Sequence, residues 1–434
     1  MKQKGISLRM WASFLILGLV GQLAWAIENM YFNVFLYNTI SKDTSYIAAM
    51  VAASGIVATV TTLFMGALSD RIGRRKAFIS IGYILWGLAT AAFGFLSVDS
   101  IGSLFPAANA VMMAALAVVV MDCIMTFFGS TANDAAFNAY ITCNTTKENR
   151  GRVESVLATL PLIAMLLIFG LFDGMTKNGQ WREFFLIFGA MVTLTGIVTA
   201  FLLPKETPVP KKDNYWKNIV YGFRPKVIKE NKPLYIALAA FGLFCIAVQV
   251  FLPYLIIYIQ EYLKIESYAI VLGIVLIVAS IISVVFGRII DKAGKLKFTL
   301  PALGVMFVGL IGMFLVRSFV TVIIAGIVMM GGNMLVSAAL SGTIRDYTPS
   351  DKVGLFQGIR MIFQVLLPMI IGPYIGSFII KNSTTTYIDE YNAVKQVPTP
   401  GIFLGAAAIL LLCLIPIIIL KRTEKEKQYA NRLG

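Results

Sequence analysis

Long apolar runs alternate with short polar segments along the whole chain. A helix that crosses the hydrocarbon core of a bilayer needs about 20 predominantly apolar residues. Twelve stretches satisfy this requirement, and they cover residues 8–38, 46–68, 77–97, 109–140, 153–176, 181–203, 234–262, 267–287, 298–317, 319–343, 355–381 and 400–420. The pattern therefore predicts an all-α integral membrane protein with twelve transmembrane helices, numbered here as spans 1–12.

Composition supports this class and argues against several others. Of the 434 residues, 58% are hydrophobic and 14% are charged, whereas a soluble protein has about 25% charged residues. The four cysteines lie in or beside apolar runs, which argues against a disulfide framework. The chain contains no histidine, no phosphate-binding loop and no H-E-x-x-H motif. We therefore expect neither an enzyme nor a metal site nor a resident cofactor.

Lysine and arginine are distributed unevenly between the two sides of the predicted bundle. Of the 37 basic residues, 30 fall in the tails and loops on one side and 7 on the other. The positive-inside rule then places both termini in the cytoplasm. The net charge of +15 reflects this topology and contact with lipid headgroups, so no nucleic-acid partner is expected. The first span shows no cleavage site and is expected to be retained, in a cell membrane and most simply a bacterial inner membrane.

The sequence repeats itself across one basic, proline-bearing segment. "GALSDRIGRRK" at 66–76 follows span 2, and "GRIIDKAGKLK" at 287–297 follows span 8, with four identical residues at a constant offset of 221 positions. This repeat predicts an amino-terminal six-helix bundle over 1–203 and a carboxy-terminal one over 234–420. A basic cytoplasmic linker at 204–233 joins them, and a basic tail occupies 421–434.

The first copy of that loop resembles the signature loop of the major facilitator superfamily. The weaker second copy, the twelve spans and the long basic central segment extend the likeness over the whole chain. The resemblance implies two six-helix pseudo-repeats, a monomer, and alternating access to a solute site. It also implies that Asp70 helps to latch the two halves together on the cytoplasmic side. The candidate gating residues are Gly66, Asp70, Arg71, Gly73, Arg74, Asp291, Arg345 and Asp346.

Polar residues inside the spans recur at helical spacing. Glu28 and Asp122 lie within apolar spans, where a charge costs about 2.5–3.5 kcal/mol even on lenient scales. Both are therefore expected to face the protein interior and to carry a coupling proton or Na⁺, although polar groups also hold bundles together. Candidate substrate-binding residues share these polar faces, on spans that line the cavity in the resembling family and on span 11. They are Gln22, Trp25, Asn29, Asn33, Thr126, Asn133, Phe137, Gln249, Asn333, Arg360 and Gln364. Asp134 is expected to point away, near the cytoplasmic mouth.

The run "DYTPSDKVGLFQGIRMIFQVLLPMIIGP" and the acids of the first half resemble the glycoside–pentoside–hexuronide cation symporters. Amides, hydroxyls and aromatic rings suit a hydroxyl-rich neutral solute. The leading hypothesis is therefore a cation-coupled symporter, driven by H⁺ or Na⁺, for a sugar or similar polar solute. Two alternatives stay open: a proton-coupled exporter of organic cations, and a solute sensor that binds without transport.

Overall fold

The computed structural model describes residues 7–106, 109–145, 153, 156–204, 221–293, 295–349, 356–383, 386–388 and 394–433. The chain divides into two compact units, Met1–Asp213 and Asn214–Gly434. The predicted linker falls largely outside the described residues, as do the loops at 146–152 and 350–355. Each unit is described below by itself.

Within the described residues, twelve helices are long and apolar enough to cross a membrane. They are Leu8–Ile40, Thr44–Gly66, Arg75–Phe95, Ala110–Asn144, Leu160–Lys177 and Trp181–Leu202 in the first unit, and Lys232–Tyr262, Tyr268–Phe286, Lys295–Leu315, Phe319–Tyr347, Gly358–Lys381 and Gly401–Thr423 in the second. The predicted all-helical membrane fold is confirmed, with small shifts of the span ends. Large apolar side chains such as Phe201 (79% exposed) and Val284 (72%) lie on the outer surface, where lipid can cover them.

Three shorter elements lie between the spans. A short helix, Val98–Leu104, connects spans 3 and 4, and another, Pro225–Glu230, precedes span 7. A two-stranded antiparallel hairpin pairs Thr386–Ile388 with Val394–Gln396 between spans 11 and 12. This hairpin was not predicted, because three-residue strands are too short to produce a recognisable alternation of polar and apolar residues.

Spans 3 and 6 are held together by glycines at close backbone contacts. A Cβ added to Gly87 would lie 2.4 Å from the Thr193 backbone nitrogen, and one added to Gly189 would lie 2.6 Å from the Ala91 nitrogen. Lipid tails are as apolar as the helix surface, so association inside a bilayer depends on close packing of this kind. Spans 9 and 10 of the second unit repeat the arrangement through Gly309 and Gly332.

An aromatic cluster closes one end of the first unit. Phe185 contacts Phe32, Phe35, Phe93 and Trp181, with ring centroids 5.1–6.0 Å apart. Aromatic pairs at such separations contribute about 0.5–1.5 kcal/mol each beyond the area that they bury. The cluster joins spans 1, 3 and 6 and so fixes the position of span 1 beside its neighbours.

Several spans contain wide π-helical turns where the sequence predicts regular α-helix. In span 1 these turns are Ile27–Tyr31 and Leu36–Ile40, and in span 4 the segment is Ser130–Phe137. Spans 5, 7 and 11 have one each, at Ile168–Phe172, Tyr258–Tyr262 and Ile362–Leu366. A π turn inserts residues relative to the 3.6-residue period, so it rotates every side chain beyond it.

The candidate gating loop is shorter than predicted. The helix of span 2 continues to Ile72 and ends at Gly73, whose φ of 69° is the left-handed conformation that glycine adopts without strain. Arg71 and Arg74 are exposed on either side of this turn. Asp70 and Asp291 lie in helices, but their side chains fall outside the described part of the chain. The proposed latch therefore remains a prediction.

Of the last two candidate gating residues, Asp346 forms an ion pair within the second unit. Asp346 forms an ion pair with Lys295 at the start of span 9, with 2.7 Å between the Lys295 Nζ and the Asp346 Oδ1. Arg345 is exposed at the end of span 10. The Asp346 pair is half-exposed and lies within the second unit, so a contribution of at most about 1 kcal/mol is expected from it.

Candidate functional site

Glu28 lies inside the first unit, on the first π-helical turn of span 1. Its side chain is 6% exposed, and Thr126 of span 4 donates a hydrogen bond of 2.9 Å from Oγ1 to the Glu28 Oε1. The other carboxylate oxygen, Oε2, is buried and has no hydrogen-bond partner. The carboxylate is thus held in place at one oxygen while the other is left free to bind.

Asp122 lies one helical turn before Thr126 on the same buried face of span 4. Its side chain is 1% exposed, and its Oδ1 also lacks a partner. Asp122 is near enough to Glu28 for their charges to interact, and the Ser54 side chain of span 2 lies beside it. Among the described residues, neither acid forms an ion pair with a lysine or an arginine. Two buried carboxylates without a basic partner are stable only when a proton or a bound cation offsets their charge.

Asp134 belongs to the same polar region, contrary to the expectation that it points away. Ser130 Oγ donates to the Asp134 Oδ2 at 3.1 Å, and Asn133 Nδ2 donates to Oδ1 at 3.3 Å. The Trp25 indole of span 1 faces the same carboxylate. The wide turn at Ser130–Phe137 rotates Asp134 relative to its position in a regular α-helix, which places it beside these groups. Asp134 therefore has donors at both oxygens, unlike Glu28 and Asp122.

Tyr83 of span 3 extends this network. Its hydroxyl oxygen lies 2.8 Å from the Leu17 carbonyl oxygen and 3.0 Å from the Asn133 Oδ1, so its one hydrogen can serve either acceptor. A Cβ added to Gly21 would lie 2.5 Å from the Asn133 Oδ1. Only a glycine at position 21 leaves room for the asparagine between spans 1 and 3.

Two tryptophans border the polar region. The Trp25 and Trp86 ring centroids are 5.1 Å apart, and Tyr83 lies 5.4 Å from Trp86. The Trp86 Nε1 is buried without a hydrogen-bond partner. A Cβ on Gly129 would approach both indoles, at 2.8 Å from Trp86 and 3.1 Å from Trp25. The polar region of the first unit thus contains neighbouring aromatic rings, one N–H donor without a hydrogen-bond partner, and three acids.

The remaining predicted residues of span 1 are only partly gathered here. Gln22 and Trp25 are half-buried, Asn29 is exposed, and Asn33 is buried. Asn29 Nδ2 donates to the Trp25 carbonyl oxygen at 2.7 Å, and Asn33 Nδ2 donates to the Asn29 carbonyl oxygen at 2.8 Å. The amides of Asn29 and Asn33 thus bind the preceding turn of their own helix, and the assignment of these residues to substrate binding stays a prediction.

The predicted buried face of span 4 agrees better with the structure. Thr126, Asn133 and Phe137 are 0%, 6% and 4% exposed. Phe137 packs beside Gly18, which precedes Glu28 by ten residues, or about 15 Å of helix. It is therefore remote from the acid pair.

The second unit contains the other predicted substrate residues. Gln249, Asn333, Arg360 and Gln364 are all half-buried. Gln249 packs against Gly372, where an added Cβ would lie 2.5 Å from the glutamine Cβ. The Arg360 Nε is buried and has no hydrogen-bond partner. The one ionisable residue of this group, Arg360, is basic, whereas the candidate coupling residues of the first unit, Glu28 and Asp122, are acidic.

Four residues of the site were missed as site residues: Ser54, Tyr83, Trp86 and Asp134. Tyr83 and Trp86 stand three residues apart in "GYILWG", a spacing that places both on one helical face. That signal was available, but the apolar run 77–97 carries no charged residue that would have drawn attention to it. Among the described residues, no group of three or more cysteines, aspartates or glutamates is arranged to hold a metal ion.

Replacing Tyr83 by phenylalanine tests whether the network positions Asn133. We expect Tyr83→Phe to lower stability by about 1 kcal/mol, because a buried acceptor loses its donor. Thermal unfolding in detergent measures this loss, and Tyr374→Phe, at a tyrosine that is 49% exposed, provides the control. Equal melting temperatures for the two variants would show that the Tyr83 hydroxyl contributes nothing to the packing.

Comparison with known proteins identifies the class. The family model of the Major Facilitator Superfamily matches residues 14–367. The chain therefore belongs to the Major Facilitator Superfamily, a group of multi-pass membrane transporters, as the loop at 66–76 predicts. No curated protein matches the chain.

Solved structures of low sequence identity share the fold. A mutant of the nucleoside transporter NupG has a TM-score of 0.72 at 12% identity, covering 94% of this chain and 99% of its own. The xylose transporter XylE from E. coli, in a partially occluded inward-open conformation, has a TM-score of 0.66 at 13% identity and covers 93% and 96%. A bacterial homologue of the human lysosomal transporter Spinster has a TM-score of 0.64 at 13% identity and covers 96% of each chain.

Proposed function

We propose that the protein is a cation-coupled symporter of a neutral, hydroxyl-rich solute such as a sugar or a nucleoside. The observation that carries the proposal is the buried acid pair Glu28 and Asp122, which has one unpartnered oxygen on each carboxylate. No basic side chain pairs with either acid among the described residues. A group of this kind inside a membrane protein is costly and marks an ion or proton pathway.

The coupling ion binds between Glu28 and Asp122 in this proposal. A proton needs only one of the two free oxygens, Glu28 Oε2 or Asp122 Oδ1. A Na⁺ ion needs more oxygen ligands, and the hydroxyls of Thr126 and Ser54 are the nearby candidates. Both ions remain within the proposal, and transport under separate gradients distinguishes them.

The solute contacts lie beside the acid pair. Trp25 offers an aromatic face for a sugar or base ring, and Trp86 Nε1 is a buried donor without a partner. Asp134 is only partly buried, and its carboxylate oxygens accept hydrogen bonds from hydroxyl groups. The names of the structurally similar transporters, for a nucleoside and for xylose, indicate which solutes to test first.

The test is solute uptake into proteoliposomes under an imposed proton gradient, an imposed Na⁺ gradient, or neither. Labelled pentoses, hexoses and nucleosides form the first panel, and organic cations the second. We expect one member of the first panel to accumulate at least about tenfold above equilibrium with one gradient. Abolition of that accumulation by an ionophore for the same ion identifies the coupling ion.

Two other outcomes would replace the proposal. Expulsion of an organic cation in exchange for protons, with no movement of any neutral solute, would make the protein an exporter. Saturable binding of a neutral solute without flux under any gradient would make it a sensor.

We further propose a monomer with both termini in the cytoplasm of a bacterial inner membrane, on the basis of the charge distribution.

A further inference from the structure

A groove of about 590 Å³ runs along the second unit between spans 7 and 12. Eight of its ten lining side chains are apolar, among them Ile236, Leu243 and Leu412. Tyr235 also lines the groove, but its hydroxyl donates to the Gly222 carbonyl oxygen. Of the described residues that line the groove, only Lys232 is charged, and its side chain is exposed.

The length of the groove corresponds to one leaflet of a bilayer. Lys232 and Leu243 are eleven residues apart on span 7, which is about 16 Å of helix. Half of the hydrocarbon core of a bilayer is about 15 Å. The groove, which begins beside Lys232 at the start of span 7, therefore has the depth of one leaflet.

The headgroup end of the groove is positively charged. The short helix Pro225–Glu230 contributes Ile228 to the lining and carries exposed Lys226 and Lys229. The one acid of this helix, Glu230, pairs with Lys226 at 4.0 Å. It does not form an ion pair with Lys229 or Lys232. On span 12, Arg422 is exposed three residues beyond the groove residue Ile419, on the same helical face. The first turn of the 20-residue helix Lys232–Phe251 adds its own partial positive charge.

We propose that this groove is a binding site for an anionic phospholipid of the cytoplasmic leaflet. One acyl chain occupies the groove between spans 7 and 12, and the phosphodiester contacts Lys232. Lys232, with the flanking Lys229 and Arg422, favours a headgroup with net negative charge over a zwitterionic one, whose ammonium group these cations repel, because each basic residue near the surface contributes about fivefold in affinity. The site lies within the second unit and does not depend on the transport cycle proposed above.

Native mass spectrometry of the purified, full-length protein tests the site. The probes are phosphatidylglycerol and phosphatidylcholine with identical acyl chains, titrated separately. We expect wild-type protein to retain phosphatidylglycerol at least about fivefold more tightly than phosphatidylcholine. Lys232→Gln is expected to lower this preference by about fivefold, and Lys232→Arg to keep it. Lys297→Gln, at an exposed lysine in the first turn of span 9, is expected to change nothing.

A second variant tests the groove separately from the charge. Ala239 lines the groove at mid-depth, and Ala239→Leu fills part of the space for an acyl chain. This variant is expected to weaken binding of both lipids while keeping their ratio. Equal retention of the two lipids by wild-type protein would overturn the proposal, and so would an unchanged preference in Lys232→Gln. Binding unaffected by Ala239→Leu would place the lipid elsewhere.

Discussion

Proteoliposomes that contain the Glu28→Gln variant are expected to exchange solute across the membrane without accumulating it. Glutamine keeps an oxygen for the Thr126 hydroxyl, whose donor atom lies 2.9 Å from Glu28 Oε1, but it can neither release a proton nor neutralise a cation. The ion gradient is then no longer linked to solute movement, and gradient-driven accumulation falls by about tenfold or more. Asp122→Asn is expected to have the same effect, because the proposed mechanism places one ion between the two acids. Counterflow with labelled solute measures the exchange that should persist.

Exposed acids supply matched controls for both variants. Glu183→Gln at the start of span 6 and Asp99→Asn in the short helix before span 4 make the same chemical changes at exposed positions. Both controls are expected to accumulate solute within about twofold of wild type. Full accumulation by Glu28→Gln and Asp122→Asn would exclude the acid pair as the coupling site. Loss of exchange together with accumulation would assign the pair to solute binding.

Gly309→Ala is expected to cause a large loss of stability in the second unit. A Cβ at this position would lie 2.3 Å from both the Cα and the backbone nitrogen of Met329 on span 10. No rotamer change relieves a contact with backbone, so spans 9 and 10 must move apart. Such overpacking costs about 3 kcal/mol. For a domain of this size that corresponds to a fall in melting temperature of about 6–12 °C, measurable by thermal unfolding in detergent.

Gly304 of the same helix is the control for that substitution. A Cβ at Gly304 meets nothing within 4 Å. Because alanine is favoured over glycine in a helix by about 1 kcal/mol, Gly304→Ala is expected to leave the melting temperature unchanged or to raise it slightly. Similar melting temperatures for the Gly309 and Gly304 variants would mean that spans 9 and 10 do not pack at Gly309 as described.

The fold could be predicted because its signals are local. Each span is recognisable as a run of about 20 consecutive apolar residues. Its backbone forms its hydrogen bonds within the same segment, because the hydrocarbon core offers no other partner. The repeated loop at 66–76 and 287–297 then indicated the family. The turn at Gly73 also follows from its residue type, because its left-handed conformation suits glycine. The domain boundaries and the latch at Asp70 stay predictions.

The candidate site could be predicted only in part. A charged carboxylate within an apolar span has a high energetic cost. The sequence alone therefore identified Glu28 and Asp122 as candidate site residues. Asp134 was misplaced, because a helical wheel assumes 3.6 residues per turn and span 4 contains a π turn. The roles of Trp86 and Ser54 depend on neighbours in other spans, which no periodicity reveals.

The sequence by itself determined that this protein crosses the membrane twelve times, belongs to a transporter family and buries two acids in its first half. Only the tertiary structure decided that Thr126, 98 residues from Glu28 along the chain, holds one oxygen of its carboxylate and leaves the other free. The reason is physical: burial of a helix depends on residues that are adjacent in sequence, whereas a binding site depends on distances between helices. Those distances are set by glycines and aromatic rings at helix contacts, whose effect appears only when the spans are packed.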